Sequence, residues 1–559
     1  MLIVCNVWRI VQCQCSRLSD LYSKHIFVIN GKTGGSARIH YYGTRIEENR
    51  IQQIFDSNLA FHSESYPAFG IYSYNDKAMQ VTHGDGNMSL DLAVESVKQY
   101  TVAEAEITEI LLKDKVYPFF VKQCYKAYKN SDVIGTWVEV TNQEKKPVTM
   151  YKFASAFIPV RRGDNWLTHF HGTWGAENML QEERLTDGQK IIKNEDGVRN
   201  TTNENPSFML TLDGKPQEET GHVFGASLAW SGNYTLKLDV DNNRIIKIYA
   251  GINEDASYYT LDPKKTFVTP EFAMTYSTTG KGGVSRNFHR WARMYKLSHA
   301  DSDRDILLNS WEGVYFKVDQ EVMAQMMKDM SQLGGELFVM DDGWFGDKYP
   351  RDGGSTSLGD WVVCKKKLPQ GIEGLIASAK KCGIKFGLWI EPEMVNSKSE
   401  LYEKHPDWII CQDNRTPTTG RGGTQMILDL SNPKVQDFVF GVVDNLMTNY
   451  PEIAYIKWDA NASIMNYGSY YLPKDRQSHL YIEYHKGLNN VLERIRTKYP
   501  HLLMQACASG GSRVNYGLLP YFGEFWTSDN TDAYQRIYMQ WGVIKFLSGD
   551  SYGITCECG

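Results

Sequence analysis

The stretch IEGLIASAKKCGIKFGLWIEPEMV, residues 372–395, carries one whole unit of the fold. Ile372, Leu375, Ile376 and Ala379 recur at helical spacing and Gly383 ends the stripe. IKFGLWI (384–390) is then an apolar run of strand length that leads straight into Glu391 and Glu393. The rhythm repeats on both sides. Upstream, NSWEGVYF (309–316) reads as a strand. Val322, Met326, Met330 and Leu333 form a helical stripe that stops at Gly334 and Gly335 before ELFVM (336–340). Downstream, Asn432 as N-cap and Pro433 at the first helical position open a helix through Phe438, Val442 and Leu446 into the strand AYIKW (454–458). Leu488, Val491, Leu492 and Ile495 precede LLMQAC (502–507), and FGEFWTS (522–528) supplies a sixth strand. Such alternation predicts a parallel (β/α) barrel over residues 306–543, with the working residues just beyond the strand C-termini.

Residues 26–285 show a different pattern. HIFVING, ARIHYYG, GTWVEVTN, MYKFASAFI, HVFGASLAW and IIKIYAGI are short runs of β-branched and aromatic residues bounded by Gly, Asn and Asp, which predicts a β-sandwich. Phe288, Trp291 and Tyr295 predict a linker helix over 286–305. STTGKGGVS (277–285) lacks the spacing of a phosphate loop and reads as a loop before that helix. Residues 1–25 and 544–559, with their crowded cysteines, share no pattern with the rest.

The 559 residues carry 60 Lys plus Arg against 66 Asp plus Glu, a net charge of -6 that argues against a nucleic-acid partner. No apolar run is long enough to cross a membrane, and the N-terminal run lacks the basic flank and cleavage site of a signal peptide. Ten cysteines without paired zinc-like spacing predict free thiols in a reducing cytoplasm. Aromatics at 13% suit flat faces that stack on sugars. His169 and His171 share a strand face but lack a third ligand, so no metal is expected there, and the lysines at 365–367 and 380–381 read as solvated charge.

The residues just beyond the strand ends are polar: Asp341, Asp342 and Trp344; Glu391 and Glu393; Asp459; Asp529 and Asp532. Each carboxylate alone suits a turn or an N-cap. Gathered at a barrel mouth with Trp311, Trp344, Trp389, Trp458 and Trp526 close in sequence, they fit glycoside chemistry, in which one ionised carboxylate attacks and one protonated carboxyl releases the leaving oxygen. By chemistry alone Glu391 and Glu393 rival the aspartates, since two residues apart in extended chain they point the same way.

NSWEGVYF, LFVMDDGWFG, GLWIEPEMV, MILDLSNPKV, YIKWDAN, CASGGSR and WTSDNTDA, in this order, closely resemble the motifs of glycoside hydrolase family 36, the bacterial-type α-galactosidases, and HYYGTRI and SYPAFG extend the resemblance toward the N-terminus. The resemblance implies a β-supersandwich and a (β/α)8 barrel, and a retaining exo-α-galactosidase acting on terminal galactose of melibiose- or raffinose-type oligosaccharides without metal or organic cofactor. It implies Asp459 as nucleophile and Asp529 as acid/base, with Asp341 and Asp342 on the galactose 4- and 6-hydroxyls. Arg421 and Lys457 are implied as further hydroxyl contacts, Lys457 also keeping Asp459 ionised, and Trp311 and Trp526 as walls of the sugar pocket. Cys507, Gly510 and Arg513 fit the pattern near the 2-position, with Cys507 a weak polar contact and not a nucleophile. HGTW (171–174) resembles a part of the N-terminal domain that approaches a neighbouring subunit's site, and full-length relatives are expected to be tetramers. Two departures stand beside the pocket, the missing Arg after Asn461 and Asn515 in place of the common Asp, and they keep α-N-acetylgalactosaminidase as an alternative. After MQWG the expected seventh and eighth strands do not appear, so the barrel is expected to be incomplete and the chain truncated at its C-terminus, with a catalytically silent carbohydrate-binding fragment as the other alternative.

Overall fold

The computed structural model describes residues 11–12 and 25–549, apart from 32, 47–49, 51–52, 54–60, 62, 72–75 and 242–244. Most of the segment 1–25, and residues 550–559 of the segment 544–559, lie outside the described residues.

The N-terminal half is antiparallel. Strands Leu92–Thr101, Ala105–Asp114, Phe119–Tyr128 and Ile134–Asn142 form a meander. The sheet continues through Phe272–Ser277, Val223–Leu228, Ser207–Thr211 and Trp166–Thr173 to Ala176–Arg184 at its edge. A four-stranded sheet, Ala156–Arg161, Ile245–Ile252, Tyr234–Val240 and Gly188–Asn194, contributes to the same apolar core: Val121, Val138 and Phe224 of the first sheet cluster with Ile158, Leu236 and Ile248 of the second. Residues of Tyr234–Val240 alternate strictly between buried and half-buried, as a strand with one face on a core requires.

The linker helix is Gly280–Tyr295, so it begins earlier than the aromatic spacing predicts, and the latter part of STTGKGGVS is helix and not loop. The glycines that read as loop serve close packing: a Cβ at Gly283 would overlap the hydroxyl of Ser277. Val284, Phe288, Trp291 and Ala292 of this helix belong to the same apolar cluster as Met330, Ile456 and Tyr516 of the barrel.

The barrel half is a six-stranded parallel sheet ordered Leu307–Asn309, Leu337–Met340, Lys385–Ile390, Ile453–Trp458, Leu503–Ala506 and Glu524–Phe525, and the two outer strands pair on one side only among the described residues. Helices Gln320–Gln332, Gly371–Cys382, Pro433–Asn449 and Leu480–Lys498 connect the strands, and Ala533–Val543 comes after the sixth. Asn432 caps its helix as predicted, accepting from the Lys434 N–H.

In the barrel half two further sequence expectations change. The first strand is Leu307–Asn309, ahead of most of NSWEGVYF, because Asn309 Oδ1 accepts the Trp311 N–H at 2.8 Å and turns the chain into the short helix Trp311–Val314. In helix Gln320–Gln332 the buried face is Gln320, Met323, Met327 and Met330, whereas Val322 is 42% and Leu333 87% exposed. With apolar residues at 322, 323, 326, 327 and 330 more than one face reads as a stripe. Packing decides between them, with Asp319 capping the Glu321 and Val322 N–H groups at the helix start.

The last described helix lies against the edge of the β-domain, where a Cβ on Gly542 would overlap the backbone carbonyl of Asn178. Gly542→Ala is expected to cost about 1–3 kcal/mol through overpacking, read as a lower midpoint in urea or thermal unfolding.

Candidate active site

The strand ends meet at one face, and the register decides which side chains become neighbours. Asn309 pairs with Val339 across the first two strands, and Trp389, Lys457 and Gln505 stand opposite one another across the third, fourth and fifth. Asp341 lies one residue beyond the second strand. Its Oδ2 accepts from Asn309 Nδ2 at 2.7 Å and from Lys457 Nζ at 2.9 Å, and its backbone N–H donates to the Ser310 hydroxyl at 3.0 Å. The neighbouring Asp342 is held in a bidentate pair by Arg351, Nε to Oδ1 at 2.9 Å and Nη2 to Oδ2 at 2.8 Å, with both side chains buried.

Asp459 begins the loop after the fourth strand and is buried. Its Oδ2 accepts from Asn461 Nδ2 at 2.7 Å and Trp389 Nε1 at 3.2 Å, and its Oδ1 from the N–H groups of Ala460 at 2.9 Å and Ser509 at 3.2 Å. Burial alone would raise its pKa. The Lys457 ammonium and the Arg421 guanidinium, helped by hydrogen bonds from Asn461 and Cys507, outweigh that and hold the carboxyl below the usual carboxylate range. Burial, and after it the charge of Asp459, pushes the Cys507 thiol well above its ordinary pKa. It stays an S–H donor and not a thiolate.

Asp529 approaches from the loop after the sixth strand. Trp526 Nε1 donates to its Oδ1 at 3.1 Å and Trp174 Nε1 to its Oδ2 at 3.0 Å, so two indoles orient both oxygens without adding a charge. Trp174 is 60% exposed and comes from the tip of the N-terminal hairpin Trp166–Arg184 of the same chain. HGTW therefore reaches the chain's own acidic loop. The hairpin also supplies Glu177 Oε2, which accepts from the Ser528 hydroxyl at 2.5 Å, and the Gly175 carbonyl, which accepts from Asn530 Nδ2 at 2.9 Å. Gly510 lies between, at φ 88°, where a Cβ would overlap Glu177 Oε1 and come within 2.8 Å of the Asp529 nitrogen.

The other candidates separate. Lys457 Nζ lies 5.4 Å from the Trp526 ring centre and Arg536 4.5 Å from it, while Trp311 is half-buried and packs edge-on against Phe316. Arg421 is exposed at the rim with φ 47°, and its charge acts on Glu391, Asp459, Asp342 and Asp529 together. Arg513 is committed to a buried ion pair. It is buried in a bidentate pair with Glu393, both bonds 2.8 Å, and Glu393 also accepts from Trp458 Nε1 at 2.8 Å and the Tyr484 hydroxyl at 2.5 Å. Glu391 and Glu393 do not point the same way, because Pro392 and Glu393 form a turn and not extended chain. Asp532 caps the last helix at the Gln535 N–H. Trp344, Trp389 and Trp458 are fully buried and donate to the Trp389 carbonyl, Asp459 and Glu393, so they brace the floor and form no wall.

Lys367 corrects the reading of its cluster as solvated. Its ammonium donates to the carbonyls of Phe316, Gly343 and Arg351 at 2.8, 2.9 and 2.7 Å and ties the loops behind Asp342 together. His169 and His171 both face Glu204 through Nδ1, at 3.4 and 3.0 Å, and no group of three or more metal-ligating side chains occurs among the described residues. No helix among them is long and apolar enough to cross a membrane. Arg351, Asn309 and Asn461 carry much of this geometry, although sequence reasoning gives them no role in it, and Trp174, which the resemblance places toward a neighbouring subunit's site, bonds Asp529 of its own chain. Asn309 and Asn461 sit inside the motifs NSWEGVYF and YIKWDAN, whereas nothing local to PRDGG marks Arg351.

The family model described as Melibiase matches residues 266–549, and that of the glycosyl hydrolase family 36 N-terminal domain matches 35–262. The chain belongs to glycoside hydrolase family 36. Within family 36 it is 34% identical to α-galactosidase AgaA of Geobacillus stearothermophilus over 86% of this chain and 67% of that protein, and 31% identical to α-galactosidase Mel36A of Lactobacillus acidophilus over 94% and 76%. The crystal structure of AgaB from G. stearothermophilus superposes with a TM-score of 0.88 at 32% identity over 95% of this chain and 76% of that one. Variants of AgaA in complex with raffinose and with stachyose superpose with TM-scores of 0.90 at 30% identity, over 98% of this chain and 78% of theirs.

The buried Arg513–Glu393 pair joins the loops that follow the fifth and third strands of this family 36 chain. Arg513→Ala is expected to cost about 3–5 kcal/mol because it strands a buried charge, and the double variant Arg513→Met/Glu393→Gln is expected to regain part of that loss; urea unfolding of the three proteins checks both.

Proposed function

We propose that the chain is a retaining exo-α-galactosidase that removes terminal α-linked galactose from melibiose- and raffinose-type oligosaccharides. The observation that supports this best is the contrast between two aspartates at one barrel mouth: Asp459 is buried, charge-stabilised and fixed by four donors, while Asp529 stands on a separate loop between two neutral indoles. In this reading Asp459 attacks the anomeric carbon and Asp529 gives its proton to the departing oxygen; Asp529 then takes a proton from water as that water opens the galactosyl–enzyme bond. Asp341 and Asp342 accept from the 4- and 6-hydroxyls, with Lys457 and Arg421 at the remaining hydroxyls and Cys507 near the 2-position. A glucoside, lacking the axial 4-hydroxyl, would forgo its hydrogen bond to this carboxylate pair, and that loss favours galactose.

The N-acetylgalactosaminide alternative is not favoured. Asn515, whose identity suggested it, spends its Nδ2 on the Arg513 carbonyl at 3.2 Å and its Oδ1 on the Leu518 N–H at 3.2 Å, so it braces its own loop. The complexes of the relative AgaA with raffinose and stachyose support the substrate class. A reducing compartment is supported by the free state of Cys124, Cys364, Cys382, Cys411 and Cys507.

Release of nitrophenol from its α-galactoside is expected, with α-galactose as the first product seen by NMR. Asp459→Asn is expected to abolish turnover and Asp529→Asn to reduce it by about 10²–10⁴-fold; a chain that binds galactose without turnover would overturn the reading. The pH dependence comes from the charges around Asp459. A nucleophile works while ionised, and a lowered pKa keeps it ionised as pH falls, so the acid limb of kcat/KM lies below the usual carboxylate range. Lys457→Met removes the strongest countercharge and is expected to move that limb to higher pH. Trp174→Phe removes one hydrogen bond to Asp529 at an exposed site and is expected to lower kcat/KM by roughly fivefold, equivalent to about 1 kcal/mol.

A further inference from the structure

Glu391 is a buried carboxyl beside Asp459 that takes no part in the double displacement. Its strand, Lys385–Ile390, runs in register with Ile453–Trp458: Ile390 stands opposite Trp458, and the Asp459 N–H donates to the Ile390 carbonyl at 2.8 Å. Glu391 and Asp459 therefore leave adjacent strands side by side. Glu391 Oε1 accepts from the Asn461 N–H at 2.5 Å and from Gln425 Nε2 at 2.6 Å. Asn461 in turn gives its Nδ2 to Asp459 Oδ2 at 2.7 Å and takes the Ser509 hydroxyl on its Oδ1 at 2.6 Å. The other oxygen of Glu391 is buried without a partner among the described residues.

The charges that face Glu391 are Asp459 from the fourth strand end and, opposing it, Arg421 and Arg351 from two loops; Gln425 and the Asn461 backbone are its polar neighbours. No ammonium or guanidinium is bonded to it among the described residues, in contrast to Asp342 on Arg351 and Glu393 on Arg513. When two adjacent carboxyls share one desolvated site, the charge of one raises the pKa of the other, and the proton settles on the one with fewer compensating donors. Asp459 has four donors and a lysine close by.

We propose that Glu391 is a positioning residue that acts as a neutral carboxylic acid, anchoring Asn461 against Asp459 while protonated and disabling the site when it ionises. Ionisation would place a second negative charge in competition with Asp459 for Arg421. Burial, and after it the charge of Asp459, pushes the Glu391 pKa up to about 8, so the neutral form prevails through neutral pH and is lost above it. The inference rests on the assignment of Asp459 as nucleophile.

The test is the pH profile of kcat/KM for the wild type, Glu391→Gln and Gln425→Leu, together with infrared difference spectra. Glutamine keeps the carbonyl acceptor and cannot ionise. On dinitrophenyl α-galactoside, whose leaving group departs without a proton from Asp529, the alkaline limb of Glu391→Gln is expected to move up by a pH unit or more, with the peak within about tenfold of wild type. Gln425→Leu removes a donor that favours the ionised form, and its limb is expected to move in the same direction. Wild-type minus Glu391→Gln spectra are expected to show a protonated carboxylic acid near neutral pH that disappears at alkaline pH. An alkaline limb unmoved in both variants, or the absence of that band, overturns the proposal. If no α-galactoside is hydrolysed, the nucleophile assignment fails by itself, and the band still decides whether Glu391 is neutral.

Discussion

Asp459 carries a negative charge where water is largely excluded, and desolvating an ion costs several kcal/mol unless fixed dipoles and countercharges replace the water. The surrounding groups can be read as that replacement. Two backbone N–H groups, one amide and one indole point at its oxygens, and Lys457 and Arg421 supply the countercharge. Each donor has its own constraint. Ser509 reaches Asp459 only through a left-handed turn, at φ 49°, and Asn461 is held by Glu391 from below. Removing a support several residues away would leave a charge uncompensated, so the packing of the floor and the chemistry of the mouth are one problem.

The same logic explains why the β-domain and the barrel share an edge. A loop after a two-residue strand has little local structure to hold a side chain in place. The loop carrying Asp529 is held from outside, by Trp174, Gly175 and Glu177 of the N-terminal hairpin and by Arg536, which donates to the carbonyls of Ser528 and Asn530. Gly510 and Gly542 are the points where backbone must pass close to backbone for this contact to form. A domain that reads in sequence as a separate sandwich thus takes part in positioning Asp529.

The legible part of the site was its carboxylates and their order. Asp341, Asp342, Asp459 and Asp529 come after apolar strands, and a barrel presents such positions at one face whatever the details of packing. Roles that depend on partners distant in sequence were not legible. Arg513 fits a pattern near the 2-position through its place in CASGGSR, and only the fold reveals its buried partner Glu393, 120 positions away. Lys367 looked solvated because it belongs to a run of lysines, yet it binds three carbonyls. A lysine's environment is set by whatever chain passes within reach of its flexible stem, which local sequence does not encode.

Periodicity and capping determined the elements of this protein. Alternate burial marks the sandwich strands, while Gly383 and Asn432 mark where helices stop and start, because these are short-range steric and hydrogen-bonding preferences. Helix phase was less determined, since methionines at 323, 326, 327 and 330 make several faces apolar and only contact with the sheet chooses among them. The tertiary structure alone decided charge state and pairing: which carboxylate bonds a lysine, which bonds an arginine and which, like Glu391, bonds neither among the described residues. Those outcomes depend on distances and desolvation between strands far apart in sequence, and electrostatic energy in a buried site is governed by just those two quantities.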